Sequence, residues 1–138
     1  LLRHIAVERD EVVILDMEAG VEHFGRGTAE HVDTMLVVTD ANARALQAAL
    51  RIAELSREGG IREVFLVGNM VEDESQKASI QNFAEEHNLR VLGCVAFDRS
   101  VREAGILGRA VFEFPEGPAI HALERMRERI LKDRESVR

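Results

Sequence analysis

A chain of 138 residues that is 46% hydrophobic and 31% charged can bury a core of its own, which excludes the disordered and the disulfide-stapled classes. Its 18 basic and 25 acidic residues leave a formal charge of −7, which works against nonspecific attraction to nucleic-acid phosphates or anionic lipid. No run reaches the ~18 apolar residues of a membrane span, and the start lacks the apolar core and cleavage site of a secretory leader. A cytoplasmic protein without a nucleic-acid partner is therefore expected.

In chain order, Leu1-Leu2-Arg3-His4-Ile5-Ala6 reads as the last turns of a helix, as though the domain began upstream. Val12-Val13-Ile14-Leu15 is the first of four short runs rich in β-branched and apolar residues, followed by Met35 to Thr39, Val64 to Val67 and Val91 to Val95. Each is predicted as a buried strand. Between the second and third runs, Ala43 to Arg57 sets Ala45, Leu46, Ala49, Leu50, Ile52, Ala53 and Leu55 on one broad face, and Gly59-Gly60 ends it, the pattern of an amphipathic helix. Ser75 to His87 repeats the arrangement with Ala78, Ile80, Phe83 and Ala84, and Asn88 is placed to cap it. Beyond the last run, Ser100 can cap a short helix to about Gly105, and Gly105 to Gly108 makes a turn before Ala110 to Phe114. Pro118 suits the first turn of a helix to about Asp133, whose apolar stripe is Ile120, Leu123, Met126, Ile130 and Leu131, with a frayed tail from Arg134.

Helical crossovers between apolar runs imply parallel pairing and right-handed connections, so the fold class is α/β, a parallel sheet with helical crossovers. No repeat or linker divides residues 1–138, and a single domain is expected.

In open parallel sheets ligands gather at the carboxyl ends of the strands, and several polar residues stand there. Asp16 follows the first run and leads into a glycine-bearing loop through Gly20, Gly25 and Gly27; position alone leaves it as either a ligand carboxylate or a turn cap. Thr39 and Asp40 end the second run with the same two readings. Asn69 ends the third, where its carboxamide offers a donor and an acceptor to the edge of a base or simply closes a turn. Asp98 ends the fourth, as a rim carboxylate or a helix cap. The five histidines show no H-E-x-x-H or pairing with cysteine, and Cys94, the single cysteine, lies in an apolar run as a buried thiol.

The stretch Val13-Ile14-Leu15-Asp16-Met17-Glu18-Ala19-Gly20-Val21-Glu22-His23-Phe24-Gly25-Arg26-Gly27-Thr28 resembles the signature of the CooC-type carbon monoxide dehydrogenase maturation ATPases. These belong to the MinD/ParA and nitrogenase iron protein group of deviant P-loop ATPases. The likeness continues through Val32-Asp33, Gly68-Asn69-Met70-Val71 and Gly108 to Phe114, but corresponds to the C-terminal half of the family domain, without the P-loop strand. By this resemblance, Asp16 holds the Mg²⁺-bound water, Gly20 offers its N–H near the γ-phosphate of ATP, and Asn69 reads adenine, with Met70 where the family usually has lysine. By the same resemblance the loop Glu22 to Thr28 lies near a homodimer interface; Asp98 is added as a cofactor-binding candidate from its place at the rim alone. The family couples ATP to nickel handling for carbon monoxide dehydrogenase or a related nickel enzyme, through a Cys-x-Cys motif that, like the phosphate loop, is upstream of these residues.

No G-x-x-x-x-G-K-[ST] loop occurs in the chain, so a parent ATPase whose isolated half is inactive is expected. The alternatives are a non-catalytic α/β binding module, receiver-like or flavodoxin-like, and a pseudo-ATPase or structural subunit. The lack of a lysine at the ends of the later strands weighs against a receiver.

Overall fold

The computed structural model describes residues 12–17, 32–113 and 117–136. Strand β1 (Thr34–Thr39), helix α1 (Ala43–Glu58), β2 (Glu63–Val71), α2 (Glu74–Glu86), β3 (Arg90–Ala96), α3 (Arg99–Leu107), a 3₁₀ turn over Val111–Glu113 and α4 (Pro118–Ser136) follow in that order. The described strands form one parallel sheet in the order β1-β2-β3, as the helical crossovers require. Strands laid down sequentially with right-handed crossovers place their helices on the same face. Accordingly Leu46, Ala49 and Ala53 of α1 and Ile80 and Ala84 of α2 share one core with Val37, Val64 and Leu66. The opposite face carries Phe65, Val67 and Leu92, which meet Met126 of α4.

The expected first strand is not a strand. Val12, Val13, Ile14 and Leu15 are 57%, 46%, 88% and 42% exposed and have no regular structure. A run of β-branched residues describes a surface suited to a sheet rather than a backbone preference, and no strand among the described residues lies beside it. The outer edge of β1 is likewise unpaired among the described residues, and Leu36 and Val38 stand exposed on that strand, while α4 packs chiefly on β3. Smaller corrections concern helix ends. The α3 cap is Asp98 rather than Ser100, and Gly105 lies within the helix, which ends at Gly108 in the left-handed conformation. Of the expected α4 stripe, Ile120 and Met126 are buried while Leu123 and Leu131 are largely exposed, and the helix continues past Arg134 to Ser136.

Two register shifts shape the sheet. Leu66 and Val67 of β2 pair with Val91 and Gly93 of β3, so Leu92 is an extra residue. Leu92 and Gly93 then both turn toward α4: Leu92 joins Met126 in the core, and a Cβ at Gly93 would come 2.8 Å from Met126 Cγ. The Leu92 carbonyl accepts a hydrogen bond from the guanidinium of Arg129 on α4, which satisfies a group that the shift takes out of the regular ladder. The second shift runs the other way. Gly68 pairs with Cys94 and Val71 with Ala96, so β2 carries the extra residue, at Asn69-Met70. The strand's alternation inverts there: Val71, which would otherwise face α4, is buried with Leu46 and Ile80, while Asn69 and Met70 are exposed.

At Gly68 the neighbours of β2 leave no room for a side chain, since a Cβ would lie 2.8 Å from both Cys94 Sγ and Ile80 Cδ1. Gly68→Ala is expected to destabilise by about 1–3 kcal/mol through overpacking, whereas Gly105→Ala, in the open on α3, should stabilise by about 0.5–1 kcal/mol. Urea denaturation midpoints at constant m-value check both signs.

Candidate functional site

The carboxyl ends of the strands form one rim, and its polar groups divide by what they bond to. At the end of β1, Thr39 is buried and its hydroxyl donates to the Asp40 carbonyl at 3.0 Å. Asp40 Oδ1 accepts from the Asn42 amide at 2.9 Å, and Asn42 in turn caps α1 by accepting from the Ala45 amide at 2.9 Å. Asp73, just past β2, caps α2 through the Gln76 amide at 2.8 Å. That bond and one from the Ser75 hydroxyl hold its carboxyl below the ordinary range. These groups serve the otherwise unpaired N–H donors of helix starts.

Asp98, at the end of β3, serves two helices. Its Oδ1 accepts from the Ser100 hydroxyl at 2.6 Å and the Ser100 amide at 2.9 Å, capping α3. Its Oδ2 accepts from the Ala119 amide, in the first turn of α4, at 3.2 Å. Gly117 makes the second contact possible, because any Cβ there would collide with Oδ2. The Ser100 side chain is the largest cause, with the backbone N–H donors adding to it, of an Asp98 carboxyl held below the ordinary range. The Asp-x-Ser spacing signals the α3 cap in the sequence. The contact with Ala119, 21 residues away, has no local signal, and neither does the need for glycine at 117.

Asn69 differs from these groups. It is exposed in the β2 register shift, and its carboxamide makes no hydrogen bond among the described residues. The Phe97 amide donates to the Val71 carbonyl at 2.9 Å, tying the exit of β3 to that of β2, so Asn69 and Asp98 share one stretch of rim. Asp16 is exposed on a segment outside the sheet that carries them. Gly20 and the loop Glu22 to Thr28 lie outside the described residues.

Cys94 is half-buried against Gly68, and burial pushes its thiol above the ordinary value. Among the described residues no group of three or more His, Cys, Asp or Glu could hold a metal ion, and no helix is long and apolar enough to cross a membrane. A groove of about 360 Å³ between α1 and α2 is lined by Leu46, Gln47, Ser79 and Phe83 among others, with neither Asn69 nor Asp98 among them.

Residues 10–138 match the family of 4Fe-4S iron sulfur cluster binding proteins described as NifH/frxC. An uncharacterized ATP-binding protein of Methanocaldococcus jannaschii is 42% identical over 111 residues, covering 80% of this chain and 43% of the relative. The carbon monoxide dehydrogenase accessory protein CooC of Rhodospirillum rubrum is 38% identical over 113 residues, covering 82% and 42%. The chain thus spans less than half the length of these two curated relatives. Among solved structures, the MinD cell division protein of Aquifex aeolicus superposes with a TM-score of 0.66 at 14% identity, over 80% of this chain and 50% of that one. That match bears out the P-loop NTPase-type α/β fold expected from the sequence.

Removal of the Asp98 joint gives a signed test. Asp98→Ala should cost about 1–2 kcal/mol at neutral pH, the range for losing an N-cap. Because the folded state depresses this pKa, the contribution is full above the ordinary carboxylate range and is lost as pH falls through the lower folded-state value. Wild type and variant should therefore converge in chemical denaturation as pH falls below the ordinary carboxylate range, and a gap that persists there would show a packing role instead.

Proposed function

The chain belongs to the NifH/frxC family, and from that premise we propose that it is the nucleotide-reading part of an ATP-dependent accessory protein for metal-centre assembly. The observation that carries the reading is the exposed Asn69 carboxamide at the carboxyl rim of a parallel sheet. It is the place where such folds bind ligands, and the group has a donor and an acceptor uncommitted among the described residues. Asn69 reads the adenine edge. Asp98, with both oxygens engaged by backbone N–H groups, belongs to the same nucleotide site and acts on it through the loop that it fixes. Asp16 supplies the carboxylate for a Mg²⁺-bound water, and Gly20 a backbone N–H near the γ-phosphate. When bound, Mg²⁺ neutralises charge developing on the phosphates.

In this reading the chain's residues supply a base contact at Asn69 and a single carboxylate for the metal at Asp16. They do not fit the iron–sulfur cluster in the family description: such a cluster takes about four thiolates, and Cys94 is the chain's one cysteine, half-buried with its thiol protonation favoured. No step is therefore assigned to a cluster. Nor do the chain's residues include a G-x-x-x-x-G-K-[ST] phosphate cradle, so hydrolysis belongs to the full-length protein and these residues alone bind without turning over.

The CooC relative supports a finer reading, in which the cargo is nickel, the client is carbon monoxide dehydrogenase or a related nickel enzyme, and the working unit is a cytoplasmic homodimer. The loop Glu22 to Thr28 then reports the nucleotide state across the dimer, as switch loops do when a γ-phosphate is lost.

In the full-length protein, Asp16→Ala should lower ATP hydrolysis by about a hundredfold or more, read as phosphate release, with an unchanged circular dichroism spectrum. Turnover at the parent rate would refute the assignment.

A further inference from the structure

On the side of β3 away from β2, no strand pairs with it among the described residues. The burial pattern agrees: Val91 and Gly93 to Ala96 are half-buried, whereas Val64 to Gly68 of β2 are fully buried. An open cleft of about 170 Å³ lies here, between Gly93 and Cys94 of β3 and Ala122, Arg125 and Arg129 of α4. Cys94 turns its thiol to the α1–α2 core, so what it offers the cleft is backbone, and the guanidinium of Arg129 reaches over to the Leu92 carbonyl. Arg125 and Arg129 are exposed and one turn apart on α4, a spacing at which like charges disfavour a helix. Neither forms an ion pair among the described residues, Glu124 and Glu128 included, whereas Arg51, Lys77, Arg90 and Arg109 each do. His121 and Lys132 extend the same stripe by a turn at each end. A chain with a formal charge of −7 thus carries a row of uncompensated cations along one open cleft.

We propose that this cleft is a docking surface for an extended acidic segment of a partner protein, whose carboxylates pair with Arg125 and Arg129. Charge complementarity selects the occupant. Guanidinium forks match carboxylates in bidentate pairs, and Arg129 keeps donors to spare, because a guanidinium has about five and the Leu92 carbonyl takes one. Spacing selects its conformation. Residues i and i+4 of a helix are about 6 Å apart along the axis, and alternate residues of an extended chain are about 6.5 Å apart, so acids at every second position meet both arginines in step. A helix, about 10 Å across with its side chains, is too wide for the cleft. A nucleic acid also carries regularly spaced anions, but the formal charge of −7 opposes a dense polyanion, and the chain has no Trp or Tyr on which to stack a base. The overhanging Arg129 guards the free strand edge against pairing, so the partner is held by its side chains rather than by adding a strand. Neither Asn69 nor Asp98 lines the cleft, and the proposal is independent of the nucleotide reading.

The test uses the full-length protein and two fluorescent peptides that differ only in carrying Glu or Gln at alternate positions, with binding read by anisotropy. The Glu peptide should bind and lose most of its affinity between about 50 and 500 mM salt; the Gln peptide should not bind. Arg125→Gln should keep the parent melting temperature and weaken the Glu peptide about fivefold. Arg125→Lys, which keeps the charge and loses the fork, should recover part of that loss. With ¹⁵N at the arginine Nε atoms, the Glu peptide should shift the Arg125 and Arg129 signals and leave that of Arg51, on α1, in place. Equal binding of the Gln peptide, unchanged affinity in Arg125→Gln, unmoved Arg125 and Arg129 signals, or no binding of the Glu peptide at millimolar concentration overturns the proposal. So does tighter binding of an oligothymidylate of matching length, which would make the cleft a nucleic-acid site.

Discussion

The rest of the structure depends on how closely β2 is hemmed in. It is the middle strand of the described sheet and is buried on both faces, with Val64 and Leu66 against α1 and α2 and Phe65 and Val67 toward α4. A strand in that position cannot change register without moving side chains between cores. Yet the register changes twice, once by an extra residue in β3 at Leu92 and once by an extra residue in β2 at Asn69-Met70. The first is accommodated by the absence of a side chain at Gly93 and the Arg129 bond to the Leu92 carbonyl. The second turns Asn69 and Met70 out of the core at the ligand-binding rim. Between them stands the pair Gly68 and Cys94, whose close approach admits no Cβ at 68 without displacement. A close-packed point of the sheet therefore lies immediately behind Asn69, the residue proposed to read the base.

Much of this fold is legible in the sequence because the relevant signals are local. The helical spacing of Leu46, Ala49 and Ala53, and of Ile80 and Ala84, identifies α1 and α2, and the apolar runs between them identify β1, β2 and β3. Val12-Val13-Ile14-Leu15 carries the same strand signal but is exposed and irregular. The difference is the neighbour: β1, β2 and β3 each have one, and no described strand accompanies residues 12–15. Leu36 and Val38 show the same dependence from the other side, as apolar residues exposed on a strand with one edge unpaired among the described residues.

The site is legible to the extent that strand ends are. Asn69 and Asp98 can be placed at the rim from the sequence because each follows an apolar run that does become a strand. What they do there is not local. The second helix held by Asp98 begins 21 residues later, and its access requires a glycine at 117 that no periodicity marks. The left-handed Met70, with φ 55°, cannot be read from Gly-Asn-Met-Val either, because nothing in that tetrapeptide demands it; the demand comes from the pairing of Gly68 with Cys94 and of Val71 with Ala96.

Acidic and amide residues at such a rim invite a reading as a charged binding site, and the bonding pattern argues against it for the described sheet. Asn42, Asp73 and Asp98 each accept N–H groups at the start of α1, α2 and α3, so their polar oxygens are directed at the protein's own backbone. Each cap thereby takes one of the N–H groups at a helix start that could otherwise attract a phosphate. The rim also carries Asn69, Met70 and Phe97, which are neutral. The polar groups of the described rim are thus spent largely on the fold's own backbone, and in the proposed reading affinity for the triphosphate must come from residues other than these.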